Sequence, residues 1–188
     1  LELIHIQTNA VIRKELAAGT DKYDRNWTPR LEGAFARVSY GHDLENVWLI
    51  VDALTAIGMP VHPFNDLFKG LWDYSLKYGW DEQNGGFYDS GAFHKPADNR
   101  EKVWWTQAEA MVSALYMYRI TGDPKYAGIF AKTYDFVDKH ITDWEGGEWF
   151  WSQAANGTPR GPKASVWKAG YHNGRAMLEC LAVLRAIK

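Results

Sequence analysis

Ser39-Tyr40-Gly41-His42-Asp43-Leu44-Glu45-Asn46-Val47-Trp48 opens a stretch in which a polar and aromatic head runs into a helix-periodic apolar tail that stops at Gly58, predicting a helix over 43–57. The arrangement returns twice. Lys102-Val103-Trp104-Trp105-Thr106-Gln107-Ala108-Glu109 heads a helix over 103–121, and Trp167-Lys168-Ala169-Gly170-Tyr171-His172-Asn173-Gly174-Arg175 heads one over 171–187. Apolar periodicity adds helices near 1–18, 63–79 and 124–141. Gly79 and Gly122 follow periodic runs, Pro63 and Pro124 open new ones, and Asp123 stands where an N-cap belongs.

His42, Glu109 and His172 each sit near a helix start, separated by 67 and 63 residues. Two Gly-Gly turns, Gly85-Gly86-Phe87-Tyr88 and Gly146-Gly147-Glu148-Trp149-Phe150, follow acidic residues and are offset by 61. A fixed period means a structural repeat, here a helical hairpin plus a short hairpin-like excursion. Such hairpins build an open solenoid or a closed α/α toroid with the starts of the inner helices around one bowl. A closed ring of six hairpins needs about twice this length. The expectation is an all-α unit over 1–188, half of a six-hairpin α/α barrel with short β excursions.

Composition narrows the function. Net charge is −2, with 21 basic residues dispersed among 23 acidic ones, which excludes an electrostatic footprint for nucleic acid or an anionic membrane. The single cysteine, Cys180, excludes an intrachain disulfide framework and a cysteine-built zinc site, and fits a reducing cytoplasm. No apolar run approaches the ~20 residues that span a bilayer. The 10 Trp, 10 Tyr and 8 Phe suit either a large aromatic core or platforms for the apolar faces of sugar rings.

Within the first head, His42 and Glu45 share a helix face, so the carboxylate can orient or charge the imidazole, and Gly41 permits close approach of the chain. Asp43 adds a further polar group. A histidine near a helix start also serves as a cap or core residue, so this head alone leaves both roles open. In the second, Trp105 and Glu109 are four apart and face the same way, a stacking platform beside a carboxylate or a buried Trp over a surface Glu. In the third, Arg175 follows His172 by one turn, with Trp167 ahead of both.

Taken in order, Ser-Tyr-Gly-His-Asp-x-Glu, Trp-Trp-x-Gln-Ala-Glu and Trp-Lys-x-x-Tyr-His-Asn resemble the C-terminal half of the N-acylglucosamine 2-epimerase family, especially its cellobiose 2-epimerase branch. The resemblance extends to the lead-in Asp21 to Pro29, similar to the family's strand before the first motif. It implies a six-hairpin α/α barrel and epimerisation at carbon 2 of a reducing sugar, either a cellobiose- or mannobiose-type disaccharide or N-acylglucosamine. His42 and His172 match the acid/base pair, Glu45 and Glu109 the supporting carboxylates, and Trp105 and Trp167 the stacking positions. Asp43 and Arg175 are candidate substrate contacts. The family's N-terminal half brings an arginine and further polar groups to the same pocket, which this sequence lacks, so self-association or a missing N-terminal half is expected.

Two histidines suit this chemistry because inversion next to a carbonyl removes a proton from one face and returns one to the other. With an unperturbed pKa of about 6.5, one imidazole can be base while the other is acid. No metal or cofactor is expected. An aldose–ketose isomerase would use the same enediolate and return the proton to carbon 1. A glycosidase would pair Glu45 with Glu109 or Asp43 and leave both histidines without purpose. A metal-dependent isomerase lacks a tight ligand spacing such as His-Glu-x-x-His. A non-catalytic half-barrel that stacks sugars on its tryptophans is the remaining alternative.

Overall fold

Three helices whose heads carry the motifs lie side by side in the computed structural model, which describes residues 1–187. They are α2 (Tyr40–Ala56), α4 (Trp104–Thr121) and α6 (Tyr171–Ala186), with α4 packed against both of the others. α3 (Asn65–Gly79) returns against α2 and α5 (Pro124–Phe136) against α4, giving two helical hairpins and a further helix. The chain is 53% helix and 12% strand, the half of an α/α barrel that the motif period implies.

α4 is the centre because its buried polar side chains Gln107 and Glu109 find their partners inside the protein. Every residue from Thr106 to Met117 is buried, so the helix is enclosed on all sides rather than amphipathic. Ala108, Ala110, Ser113 and Ala114 keep its surface small enough for neighbours to close in. Trp72 of α3 fills the gap between the hairpins, donating its indole N–H to Ser113 Oγ at 3.1 Å and meeting Tyr126 edge-on at 5.3 Å.

The expected punctuation is in place. Gly122 ends α4 in a left-handed conformation (φ 69°), and its N–H returns to the Tyr118 carbonyl at 2.8 Å. Asp123 caps α5 through Lys125 N at 2.9 Å, ahead of Pro124. A 3₁₀ turn, His62–Phe64, precedes α3, and a π turn, Val137–Ile141, extends α5 close to the expected end at 141.

Two expectations need correction. The helix expected over 1–18 is only α1 (Glu2–Ile6) continued by a π turn, Gln7–Val11. The chain then forms a hairpin of β1 (Ile12–Arg13) and β2 (Ala18–Gly19). Residues 14–18 have good helix formers, but Thr20 bonds back to the Val11 carbonyl and Gly19 N–H is taken by Asp43 of α2, so tertiary partners override local propensity. Residues 21–29 are not a strand; they turn around an isolated Tyr23–Pro29 bridge. The strand ahead of the first motif is β3 (Arg37–Ser39), paired with β4 (Ser90–Ala92).

The head of α4 is reached in the same way, from β5 (Lys102–Val103), which pairs with β6 (Ser152–Gln153), itself paired with β7 (Pro159–Arg160). The two Gly-Gly turns lie between α3 and β4 and between the π turn and β6. Their hydrogen bonds align them at an offset of 62, not 61. Asp81 Oδ1 accepts from Gln83 N and Asn84 N, and Asp143 Oδ1 accepts from Glu145 N and Gly146 N. Gly85 and Gly86 therefore correspond to Gly147 and Glu148.

Candidate active site

Because α2, α4 and α6 begin at the same end of the layer, their first turns meet. The Trp105 ring lies 4.8 Å from the His42 imidazole and 5.5 Å from that of His172, so both histidines face one indole. Trp104 meets His172 from another side at 5.2 Å. Gly41 allows this packing: a Cβ there would come within 2.5 Å of the Trp105 ring and 2.8 Å of Thr106 Oγ1.

Beneath the indole, Glu109 is fully buried and accepts three hydrogen bonds. Trp48 Nε1 donates to one oxygen at 2.8 Å, while His172 Nδ1 at 2.5 Å and Arg175 Nη2 at 2.7 Å converge on the other. With the Nδ1 proton given to Glu109, His172 Nε2 carries the free lone pair. The 3.5 Å approach of Arg175 to the same Nδ1 then joins two donors and is not a hydrogen bond. Arg175 also donates to Glu45 at 3.2 Å and lies 4.6 Å over the Trp48 ring.

Burial sets the protonation of the neighbours. It lowers the His42 pKa below 6.5, outweighing the pull of Asp21 and Asp89, so the imidazole is neutral at neutral pH. Burial and then the nearby Glu109 raise the Glu45 carboxyl. Glu45, Glu109 and His172 offer ligand atoms within 4.8 Å of one another, a spacing a cation can use. The Arg175 guanidinium already supplies positive charge to both carboxylates there.

His42, His172, Glu45, Glu109, Trp105 and Arg175 thus form one cluster. Asp43 and Trp167 do not join it. Asp43 is buried with one oxygen accepting Gly19 N at 2.7 Å and the other without a partner among the described residues, and burial pushes it up to about 7. Trp167 is 73% exposed at the rim, its carbonyl accepting the Tyr171 hydroxyl. Asp43 nonetheless lines, with His42, Glu45, Asp21, Arg37 and Asn46, a cavity of about 220 Å³ that opens beside His42. Sequence reasoning missed Trp48 and Trp104 as supports of the histidines. Trp48 lies four residues before Asp52 and three after Glu45, on the face that α4 covers, but only the packing shows that its N–H meets a carboxylate.

The family model for N-acylglucosamine 2-epimerase (GlcNAc 2-epimerase) matches residues 1–176. The cellobiose 2-epimerase of Bacteroides fragilis is 30% identical over 183 residues, covering 95% of this chain and 45% of that protein. The cellobiose 2-epimerase of Ruminococcus albus is 35% identical over 150 residues, covering 76% and 37%. The structure of cellobiose 2-epimerase from Bacillus thermoamylovorans superposes with a TM-score of 0.85 at 31% identity, over 97% of this chain and 45% of that one. The chain spans less than half the length of these relatives. Among the described residues, no helix is long and apolar enough to cross a membrane.

Proposed function

The chain belongs to the N-acylglucosamine 2-epimerase family, and from that premise we propose that it carries the acid/base pair of a sugar 2-epimerase. The substrate is a reducing-end aldose, with a β-1,4-linked disaccharide of the cellobiose type favoured by the relatives' names and N-acylglucosamine as the other member of the class. The observation that carries this reading is the pair of imidazoles on one indole, one of them clamped through Nδ1 by a buried carboxylate.

In this reading the open-chain sugar lies against Trp105 with carbon 2 between the histidines. One imidazole removes the carbon-2 proton, charge moves onto the carbonyl oxygen as an enediolate, and the second imidazole protonates the opposite face. Neutral His42 is the base in one direction and His172 Nε2 in the other. Glu109 stabilises the imidazolium that forms on His172, and Arg175 holds the Glu109 carboxylate in place by pairing with it. No metal takes part in these steps. The half-ring is completed by further polypeptide or by a second copy: Leu178, Leu181 and Leu184 stand exposed along one side of α6, an apolar surface that supports this reading.

Turnover in heavy water, followed by NMR, tests the mechanism. Deuterium should enter carbon 2, and His42→Ala and His172→Ala should each lower turnover by roughly 10²–10⁴-fold while the fold persists. Either variant alone retains one base and can exchange the proton on one face without net inversion. Near-normal turnover by either would refute the assignment, and a ketose product would mean that the proton returns to carbon 1.

A further inference from the structure

The two Gly-Gly turns differ at one position that the repeat makes conspicuous. In the first, Gly85 and Gly86 both adopt left-handed backbone, with φ of 73° and 78°. In the second, Gly147 has φ 70°, but the residue matching Gly86 is Glu148, at φ 67°. A left-handed backbone disfavours an L side chain, and glycine would adopt it freely. Strain of this kind persists where surrounding contacts hold it, and it clusters at functional sites.

The first turn shows what that side chain replaces. There Gln107 reaches out of α4 to clamp Phe87, accepting its N–H at 2.8 Å and donating to its carbonyl at 2.7 Å. A Cβ on Gly86 would lie 2.8 Å from Gln107 Oε1 and 2.9 Å from Phe136, so glycine is required. In the second turn Glu148 makes the connection from its own side. One oxygen, Oε1, accepts from Trp149 N at 2.8 Å, Asn173 Nδ2 at 2.7 Å and Lys168 Nζ at 2.9 Å.

These partners lead to the candidate site. β3 and β5 bring the chain into α2 and α4 as paired strands, whereas the segment entering α6, residues 161–170, contains no strand. Lys168, the last buried residue before α6, is 1% exposed and lies with its ammonium 4.6 Å over the Trp104 ring. Trp104 in turn meets His172, and Asn173 is the next residue of α6. Where the other inner helices are entered through a sheet, α6 is entered through one carboxylate.

We infer that Glu148 is a positioning residue for His172, holding the entry to α6 through Lys168 and Asn173 at the expense of a strained turn. The inference rests on the reading of His172 as an acid/base. Glu148→Gly relieves the backbone and removes the carboxylate, so a residue that only makes a turn would leave activity unchanged. With cellobiose, Glu148→Gly should lower kcat roughly 10- to 100-fold with little change in KM, and Glu148→Gln, which keeps an acceptor oxygen, should recover most of it.

The ring ¹⁵N resonances of His172 need no substrate and should move in Glu148→Gly while those of His42 stay in place. Unmoved His172 resonances, or a kcat within twofold of the parent, would overturn the inference. Should Glu148→Gly fail to fold, Lys168→Met leaves the turn intact, removes the cation over Trp104, and is read by the same resonances and the same two outcomes. His172→Ala, assayed alongside, separates the two claims. If it is active, the catalytic reading fails; if it is inactive while Glu148→Gly is normal, only the positioning inference fails.

Discussion

Replacing Glu109 with Gln changes one oxygen to an NH₂ at a site closed off from bulk solvent. The carboxylate accepts from Trp48, His172 and Arg175, and its residue is 0% exposed. An amide can keep its oxygen toward only one side. If the oxygen stays with His172 and Arg175, the NH₂ meets the Trp48 N–H; if it turns to Trp48, the NH₂ faces a guanidinium. Either way a buried donor loses its acceptor and Arg175 keeps only Glu45 as a counter-charge, for which about 2–3 kcal/mol is expected. In a chain of this size each kcal/mol moves Tm by ~2–4 °C, so calorimetry should find a fall of about 4–12 °C. Activity should fall as well, by roughly 10²–10⁴-fold, because in neither orientation does an amide carry the charge that stabilises the imidazolium on His172, and with its NH₂ toward His172 it also favours the tautomer with the proton on the catalytic Nε2. A Glu109→Gln protein that melts within about 2 °C of the parent and turns over normally would refute the reasoning.

Asp43→Asn keeps an acceptor for Gly19 N but cannot ionise. Because burial raises Asp43 from 3.8 to about 7, the unfolded chain releases this proton at lower pH than the folded one, and stability falls as pH rises between those values. The variant should gain stability over the parent at pH 8, by roughly 4 kcal/mol at most, and little at pH 4; equal gains by denaturant titration at both would contradict the assignment. The His42 pKa is lowered by burial, so the acid limb of kcat/KM that reports it should lie below 6.5, and a limb above that value would show a charged, exposed imidazole. Gly41→Ala should cost about 1–3 kcal/mol by overpacking and lower kcat by displacing Trp105, since its Cβ would sit 2.5 Å from that ring; an unchanged rate and Tm would mean that the indole is free to move.

Helix positions were legible because they depend on local rules. Apolar spacing marked five of the six helices closely, and Gly122, Asp123 and Pro124 marked an end and a start through backbone freedom, side-chain capping and a fixed φ. The expectation failed at residues 12–19, where the deciding partner, Asp43, lies 24 residues beyond Gly19. The candidate site was legible as a set of residue types, since the motif heads announced histidines, carboxylates and tryptophans at a common period.

What each of those residues touches was decided by packing alone. Asp43 and Glu45 are two positions apart at one helix head, yet one turns into the β1–β2 hairpin and the other toward Arg175. Arg175 reads as a substrate contact in the sequence, and the fold spends its guanidinium on Glu45 and Glu109. Glu148 reads as one more polar residue after two glycines. Its left-handed backbone and its bonds to Lys168 and Asn173 exist only when the second turn and the head of α6 are brought together, 25 residues apart in the chain. Helical periodicity and caps are written within a few residues, so the sequence determined the elements and their heads; the direction in which each charged side chain finds its partner depends on contacts across helices, which only the tertiary structure supplies.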